Sequence, residues 1–360
     1  MTYSVNFANY TIGKEAYKNV NEVCRQYGTK ALLIGGKLAL EAGKEKLLQA
    51  LAEGENPVTI VDTVLFGEDC TYAGMEKIAA HVKKCGADMI FGMGGGKALD
   101  TAKGTAEKCA LPVFTFPTIA ATCAATTALS VVYKEDGNFD SFYFFEKPAR
   151  HSFIDTQIIA EAPEKYLRAG MGDTLGKYFE CHFAARGDRL EHSSALGREI
   201  SNMCYFPLLE YAEAALEECR HKKAGKALEQ AVLANIVSTG LVSLLVLDQY
   251  NCAVAHSVYY GLVLLDGFEE ENLHGDVVAY GVLVQLLVDG EEEKAKEMKT
   301  FLKNLKIRTT LKEMGASVKR ETLREVLHEI VTGPDMEHIP YEITEDMVYD
   351  AMVKVEELVG

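Results

Sequence analysis

The stretch FGMGGGKALDTAK, residues 91–103, places three consecutive glycines between a short apolar run and a segment of helical character. Glycines at the C-terminal end of a strand let backbone N–H groups approach an anion closely, and a helix starting there adds partial positive charge. Lys97 adds a full charge. In an open parallel sheet this is also the edge where ligands bind. The spacing departs from the common fingerprints. After Gly92-x-Gly94 a dinucleotide fingerprint needs glycine at 97, which is Lys97; a P-loop is longer and needs Ser or Thr where Ala98 stands. On its residues alone, the stretch is either an anion cradle or a tight structural corner.

Outward from it, strand-like and helical segments alternate. KALLIGG (30–36), VTIVDTVLF (58–66), ADMIFGMGG (87–95) and LPVFTFPT (111–118) read as strands. YAGMEKIAAHVKKCG (72–86) reads as an amphipathic helix closed by Gly86. This alternation predicts a parallel sheet of βαβ units. SVVYKEDGNFDSFYFF (130–145) predicts a hairpin turning at Asp136-Gly137-Asn138. Near residue 160 the pattern turns helical and stays so almost to the end, with Thr344 the expected N-cap of a surface helix. The predicted fold class is therefore α/β plus all-α: a Rossmann-like parallel-sheet domain over 1–160 and an all-helical domain over 161–360.

Composition narrows the function. A chain of 360 residues exceeds what one core usually holds. The formal net charge of -16 argues against a nucleic-acid partner. Nine cysteines without a C-x-x-C pair indicate neither a thiolate zinc site nor a disulfide framework, and point to a reduced, cytoplasmic protein. The N-terminus has no signal-peptide pattern. The most apolar stretch (231–265) carries Asn235, Asp248, Gln249, Asn251 and His256, which predicts buried helices and no membrane partner.

A second element is FPTIAATCAATTALSVVY (116–133), rich in small residues and hydroxyls. It either leaves room for a flat ligand, with Thr118, Thr122, Thr126 and Thr127 as donors, or is a small-residue packing seam. Three residues further on have chemistry with bland alternatives. Asp173 could be a helix N-cap, His256 a core histidine on an apolar helix, and His274 a helix end or loop residue.

GMGGGKALDTAK, FPTIAATCAATTALSVVY, AGMGDTLGKYFE, AHSVYYGL and HGDVVAYGVLVQLL occur in the order and approximate spacing of the iron-containing alcohol dehydrogenase superfamily. Within it the chain most resembles the glycerol dehydrogenase branch. The resemblance spans nearly the whole chain. It implies the fold shared with dehydroquinate synthase: an N-terminal nicotinamide-dinucleotide domain, a C-terminal helical domain, and an active site between them. It implies that Gly94, Gly95, Gly96 and Lys97 bind the cofactor pyrophosphate, and that Thr118, Thr127, Leu129 and Tyr133 line its adenine and nicotinamide portions. It implies a metal held by Asp173, His256 and His274. That ligand set suits Zn²⁺ first and also Fe²⁺, with manganese or nickel as further candidates. The implied chemistry is hydride transfer at a CH–OH group, with the metal as Lewis acid and the hydride carried by the nicotinamide.

Three departures bear on specificity. Cys123 stands where glycerol dehydrogenases typically have an Asp that helps hold the polyol, which removes a repulsion for an anionic substrate. Lys177, four residues after Asp173, could pair with a substrate carboxylate, or form an i,i+4 pair with Asp173, or be solvated. Gly36-Lys37 follows the first βα strand, where NAD-preferring members often carry an acid; the pair tolerates or attracts a 2′-phosphate, which points to NADP or to use of both NADP and NAD. Together with GPDMEHIPYEITEDM these features look like the hydroxycarboxylate dehydrogenase A branch, whose members reduce 2-oxo acids. The alternatives are a small-polyol (glycerol) dehydrogenase, a dehydroquinate synthase-like lyase needing further cations beside Lys177 and Arg168, and a non-catalytic scaffold. A symmetric homo-oligomer is expected.

Overall fold

Six parallel strands form one sheet in the order β1-β8-β5-β4-β2-β3. They are β1 (Asn9–Gly13), β2 (Lys30–Gly35), β3 (Thr59–Leu65), β4 (Met89–Gly94), β5 (Val113–Pro117) and β8 (His151–Asp155). Between β5 and β8, β6 (Leu129–Tyr133) and β7 (Phe139–Phe144) pair antiparallel as a separate hairpin. The structure is a computed structural model that describes residues 4–53 and 56–359.

The sheet is doubly wound for a reason visible in its side chains. β2 and β4 are buried almost throughout, as central parallel strands covered on both faces must be. The period-2 alternation of β2, β4 and β5 sends Leu33, Phe91, Met93, Phe114 and Phe116 to one face, where Leu47 and Leu51 of α1 (Lys37–Ala52) cover them. Leu32, Ile34 and Ile90 go to the other face, against Ile78 and Val82 of α2 (Tyr72–Cys85) and Ala102 and Ala106 of α3 (Gly96–Cys109). β2 has β3 on one side and β4 on the other, so the chain reverses its winding between β2 and β4. The crevice at their C-terminal ends is the switch point where such sheets bind ligands.

β1 and β8 have no counterpart among the predicted strands. Each is five residues long, and β1 is an edge strand with little burial to impose a period. Their pairing brings residues about 140 positions apart into register, Asn9 opposite His151. Asp155 ends β8 and caps the next helix through the N–H groups of Gln157 (3.0 Å) and Ile158 (3.2 Å).

After Asp155 no strand occurs among the described residues. The longest helix of this part is α4 (Glu164–Ala184), packed against α5 (Val254–Leu262) and α6 (His274–Val288). The approach is backbone to backbone. A Cβ on Gly275 of α6 would lie 1.7 Å from the Ala169 carbonyl oxygen, and one on Gly281 2.3 Å from that of Ala255. The helical run Lys226–Leu245 is long and apolar enough to cross a membrane, but 61% of its most apolar window is buried within the protein. Thr344 does cap Glu345–Glu357, its Oγ1 accepting from the Met347 N–H. That helix is not a purely surface one, because Val348, Ala351, Met352 and Val355 are buried.

Gly275→Ala tests the close crossing. On an uncrowded helix the change stabilises by about 1 kcal/mol. Here overpacking against a backbone carbonyl reverses the sign, with an expected loss of about 1–3 kcal/mol read from the urea midpoint.

Candidate active site

Asp173 lies in the middle of α4, His256 is the third residue of α5 and His274 the first of α6. Asp173 is therefore no N-cap, and His274 is not in a loop. The three side chains converge: each offers a donor atom, all within 4.8 Å of one another. Asp173 Oδ1 is 3.4 Å from His256 Nε2 and 3.5 Å from His274 Nε2. These separations exceed good hydrogen bonds. Two ligands at ~2.05 Å from a tetrahedral zinc lie about 3.3–3.4 Å apart. The donor set and its spacing fit a divalent ion. Asp173 and His256 are buried and the His274 side chain is 34% exposed, so the cluster opens on the His274 side. Tyr259 packs edge-on against that ring at 4.3 Å.

Burial alone would raise the Asp173 carboxyl, but the two imidazoles outweigh it and hold it well below the carboxylate range. Burial likewise disfavours the His256 cation, and Cys252, Glu180 and Asp173 overcome it and raise the imidazole well above its ordinary value.

Glu180 was not foreseen. It is fully buried two helical turns beyond Asp173, and its Oε2 is 2.5 Å from His256 Nδ1. Its Oε1 accepts the backbone N–H groups of Ala253 (2.8 Å) and His256 (2.7 Å). The i,i+7 spacing from Asp173 was visible, but nothing in the sequence paired Glu180 with a histidine 76 positions on.

Lys177 is buried and donates to the Asn251 carbonyl (2.5 Å) and to Asn251 Oδ1 (3.2 Å). It is thus neither solvated nor ion-paired with Asp173 within 4 Å, which corrects both bland readings. Burial opposes its charge, yet Cys252, Cys123, Glu180 and Asp173 together raise its pKa. The Cys123 thiol feels the same neighbours: burial and Asp173 push it up to about 12 against Lys177 and Lys103, so it is neutral at physiological pH. A second unforeseen neighbour is Asp335, pushed up to about 6 by burial, with the His256 charge opposing and Glu180 adding. Its segment is pinned by His338, which shares Asp188 with Tyr250 at 2.7 and 2.6 Å. Arg168 is committed to Asp276 (3.2 Å) and supplies no free cation.

The glycine corner is built at the switch point. Gly94 ends β4 at φ +154°, a conformation that favours glycine, and Gly95 precedes α3 with no side-chain cap on the helix. Gly36 holds the matching place before α1, with exposed Lys37 next. Lys97 is ion-paired with Asp69, its Nζ 4.7 Å from the centre of the Tyr133 ring. The Thr118 N–H bonds the Gly94 carbonyl (3.1 Å). Thr127 Oγ1 (3.0 Å) and the Leu129 carbonyl (2.5 Å) both receive the buried Lys103, which also pairs with Asp100 at 2.9 Å. These two acceptors are thus already engaged by the protein.

The threonine-rich loop connects the two sites. Thr122 Oγ1 lies 3.3 Å from where a Gly96 Cβ would stand, while the thiol of the next residue, Cys123, is buried within the electrostatic reach of Asp173 and Lys177. Buried Asn235 anchors the loop, donating to the carbonyls of Ala120 (2.9 Å) and Leu167 (3.2 Å), and Thr126 bonds the Ile236 carbonyl (2.6 Å). Both anchors come from a π-helical segment, Leu233–Ser238, a local irregularity that often marks functional regions.

The sequence profile described as "Iron-containing alcohol dehydrogenase" matches residues 8–155. A glycolaldehyde reductase of Halobacterium salinarum is 28% identical over 358 residues, 98% of this chain and 96% of its own. Hydroxycarboxylate dehydrogenase A of Escherichia coli (strain K12) is 32% identical over 333 residues, 91% and 90% of the two chains. The crystal structure of glycerol dehydrogenase from Schizosaccharomyces pombe superposes with a TM-score of 0.88 at 26% identity, covering 99% and 91%. The chain belongs to the iron-containing alcohol dehydrogenase family, in its glycerol dehydrogenase-like branch, and is an oxidoreductase.

Removing Lys103 strands Asp100, which is buried and otherwise receives only the Val131 N–H (3.0 Å). Lys103→Met is expected to destabilise the protein by about 3–5 kcal/mol in denaturant titration.

Proposed function

We propose that this chain is a divalent-metal-dependent, NAD(P)(H)-linked oxidoreductase of CH–OH groups that reduces small 2-oxo carboxylic acids to 2-hydroxy acids. Residues 1–160 carry the nucleotide and 161–360 the metal. The observation that carries the reading is the 118–127 loop, which reaches from the glycine corner to a cluster combining Asp173, His256 and His274 with a neutral Cys123 and a buried Lys177.

Asp173, His256 and His274 hold the ion, zinc in first place. The ion supplies Lewis-acid stabilisation of charge on the substrate oxygen and the nicotinamide supplies the hydride. The protein's own residues do the positioning. Gly94, Gly95, Gly96 and the first N–H groups of α3 receive the pyrophosphate, and Lys97, paired with Asp69 in this structure, would turn to it. Thr118, Thr127, Leu129 and Tyr133 flank the remaining length of the cofactor. Lys177 has three N–H donors, and Asn251 takes two. The third is free to meet a substrate carboxylate, and Cys123 presents no opposing charge.

A second reading is a neutral small polyol or hydroxyaldehyde. The Asn251 hold on Lys177 favours it, because a held ammonium needs no anionic partner. The names of the relatives, glycolaldehyde reductase and glycerol dehydrogenase, support it as well.

Steady-state rates with 2-oxobutyrate/NADPH against glycerol/NAD⁺ and glycolaldehyde/NADPH, before and after chelation and zinc add-back, separate these readings. Lys177→Met is expected to lower kcat/KM for 2-oxobutyrate by about 10–100-fold, the value of one charge-assisted hydrogen bond, and to leave the neutral substrates little changed. Equal losses on all three overturn the carboxylate role.

Gly36→Asp tests the cofactor reading. Position 36 is the N-cap of α1 in extended conformation, a place Asp favours, and a Cβ there meets only the Phe66 ring at 3.3 Å. The variant is expected to keep its Tm while the NADPH/NADH ratio of kcat/KM falls at least ~10-fold through repulsion of the 2′-phosphate.

A further inference from the structure

We propose that Glu180 is the positioning residue for His256: its carboxylate fixes the imidazole as the Nδ1–H tautomer and aims the Nε2 lone pair at the point shared with Asp173 and His274. The inference rests on the metal-site reading given above.

Three bonds define the arrangement. Glu180 Oε1 accepts from the N–H groups of Ala253 (2.8 Å) and His256 (2.7 Å), and Oε2 lies 2.5 Å from His256 Nδ1. Ala253 is the N-cap position of α5, and that helix has no side-chain cap of its own. A carboxylate from α4 thus caps α5 across the helix–helix contact and fixes the backbone that carries His256. The two backbone bonds stop the carboxylate from rotating and leave Oε2 on the ring. A carboxylate only accepts, so the proton of the third bond sits on Nδ1, and Nε2 is the nitrogen that gives up its proton and offers its lone pair when an ion binds. Nε2 is the nitrogen 3.4 Å from Asp173 Oδ1. Cys252 is another polar group at hand besides Asp335, its Sγ within 4.8 Å of both the Glu180 carboxylate and the imidazole. A thiol is too weak a partner to take over either job. The outer partner of a metal-bound histidine sets its tautomer and basicity, and its loss costs about 10–100-fold in metal affinity.

Glu180→Gln is nearly isosteric and separates this role from plain packing. All three partners of Glu180 are N–H donors, and an amide has one accepting and one donating end. With its oxygen on the backbone, its NH₂ faces Nδ1 and drives the ring proton to Nε2. With its oxygen on the ring, the cap of α5 is lost.

The experiment titrates metal-free full-length protein with zinc against a chromophoric chelator, for wild type and Glu180→Gln, with thermal unfolding alongside. In parallel, ¹H–¹⁵N spectra of zinc-loaded, histidine-labelled wild type locate the ring proton of His256, assigned by its loss in His256→Asn. Expected are one zinc per wild-type chain, a zinc affinity about 10–100-fold weaker in Glu180→Gln, and a slowly exchanging proton on Nδ1 in the wild type. Unchanged zinc affinity in a folded Glu180→Gln overturns the proposal and leaves the metal site standing. A His256 Nδ1 without its proton in zinc-loaded wild type overturns it whether or not the variant folds. Wild type that takes up no zinc overturns the metal-site reading and this inference with it.

Discussion

The contact between α4 and α6 is closer than side chains permit. Helix axes ordinarily pack 8–10 Å apart, at a distance set by the side chains between them. Here a Cβ on Gly172 would lie 2.2 Å from the Gly275 carbonyl oxygen, and one on Gly275 1.7 Å from that of Ala169. Asp173 directly follows one of these glycines and His274 directly precedes the other. The carboxylate and the imidazole are thus placed by main chain meeting main chain, with one short side chain on each side. Gly281 brings α6 equally close to Ala255, the residue before His256. All three donors sit within one residue of a close backbone contact, which is how three separate helices reach a common point with little conformational freedom left to lose.

Close packing leaves little room for water, so every charge in this region needs a protein partner. Glu180 has three N–H donors, Lys177 has Asn251, and Lys103 has Asp100, Thr127 and the Leu129 carbonyl. Asp335 is less well served: its Oδ2 is buried without a hydrogen-bond partner, as are Asp276 Oδ1 and Arg168 Nε within their ion pair. The segment carrying Asp335 is held from outside by His338, Asp188 and Tyr250. Tyr250 leads directly into Asn251 and Cys252, so one surface network orients both the partner of Lys177 and the thiol beside Glu180.

Much of this was legible in the sequence where one local pattern decides one local structure. Central strands with apolar residues on both faces, the Asp136-Gly137 turn, the Gly86 C-cap at φ +68° and the Thr344 N-cap are of that kind. β1 and β8 were not legible: β1 is a strand only by virtue of β8, about 140 residues away, and β8 is five residues long and lies between β1 and β5. The Asp173, His256 and His274 set came from family resemblance, since each residue alone had a commoner explanation. Lys177 shows the limit most clearly. The helix places it on the same face as Asp173, yet its actual partner, Asn251, lies 74 positions away. Glu180 failed for the same reason: helix periodicity says which residues share a face, not which distant backbone N–H groups will meet it.

The local charge has a consequence for substrate choice. The chain as a whole carries a formal charge of -16, which repels acids at long range. At the cluster, with both imidazoles neutral as metal ligands, Asp173 and Glu180 against Lys177 would leave a single net negative charge, which a divalent ion would offset. Asp335, pushed up to about 6 by burial and so still mostly ionised at neutral pH, adds to that negative charge and draws on the same positive field. On the proposed function, an acid substrate would meet a favourable potential only where an ion and Lys177 act together, over a distance short enough to escape screening. A neutral polyol would meet the same ion without needing the ammonium. The identity of the residue at 123 then matters: a carboxylate there would restore the negative balance, whereas the Cys123 thiol leaves the pocket able to accept an anion.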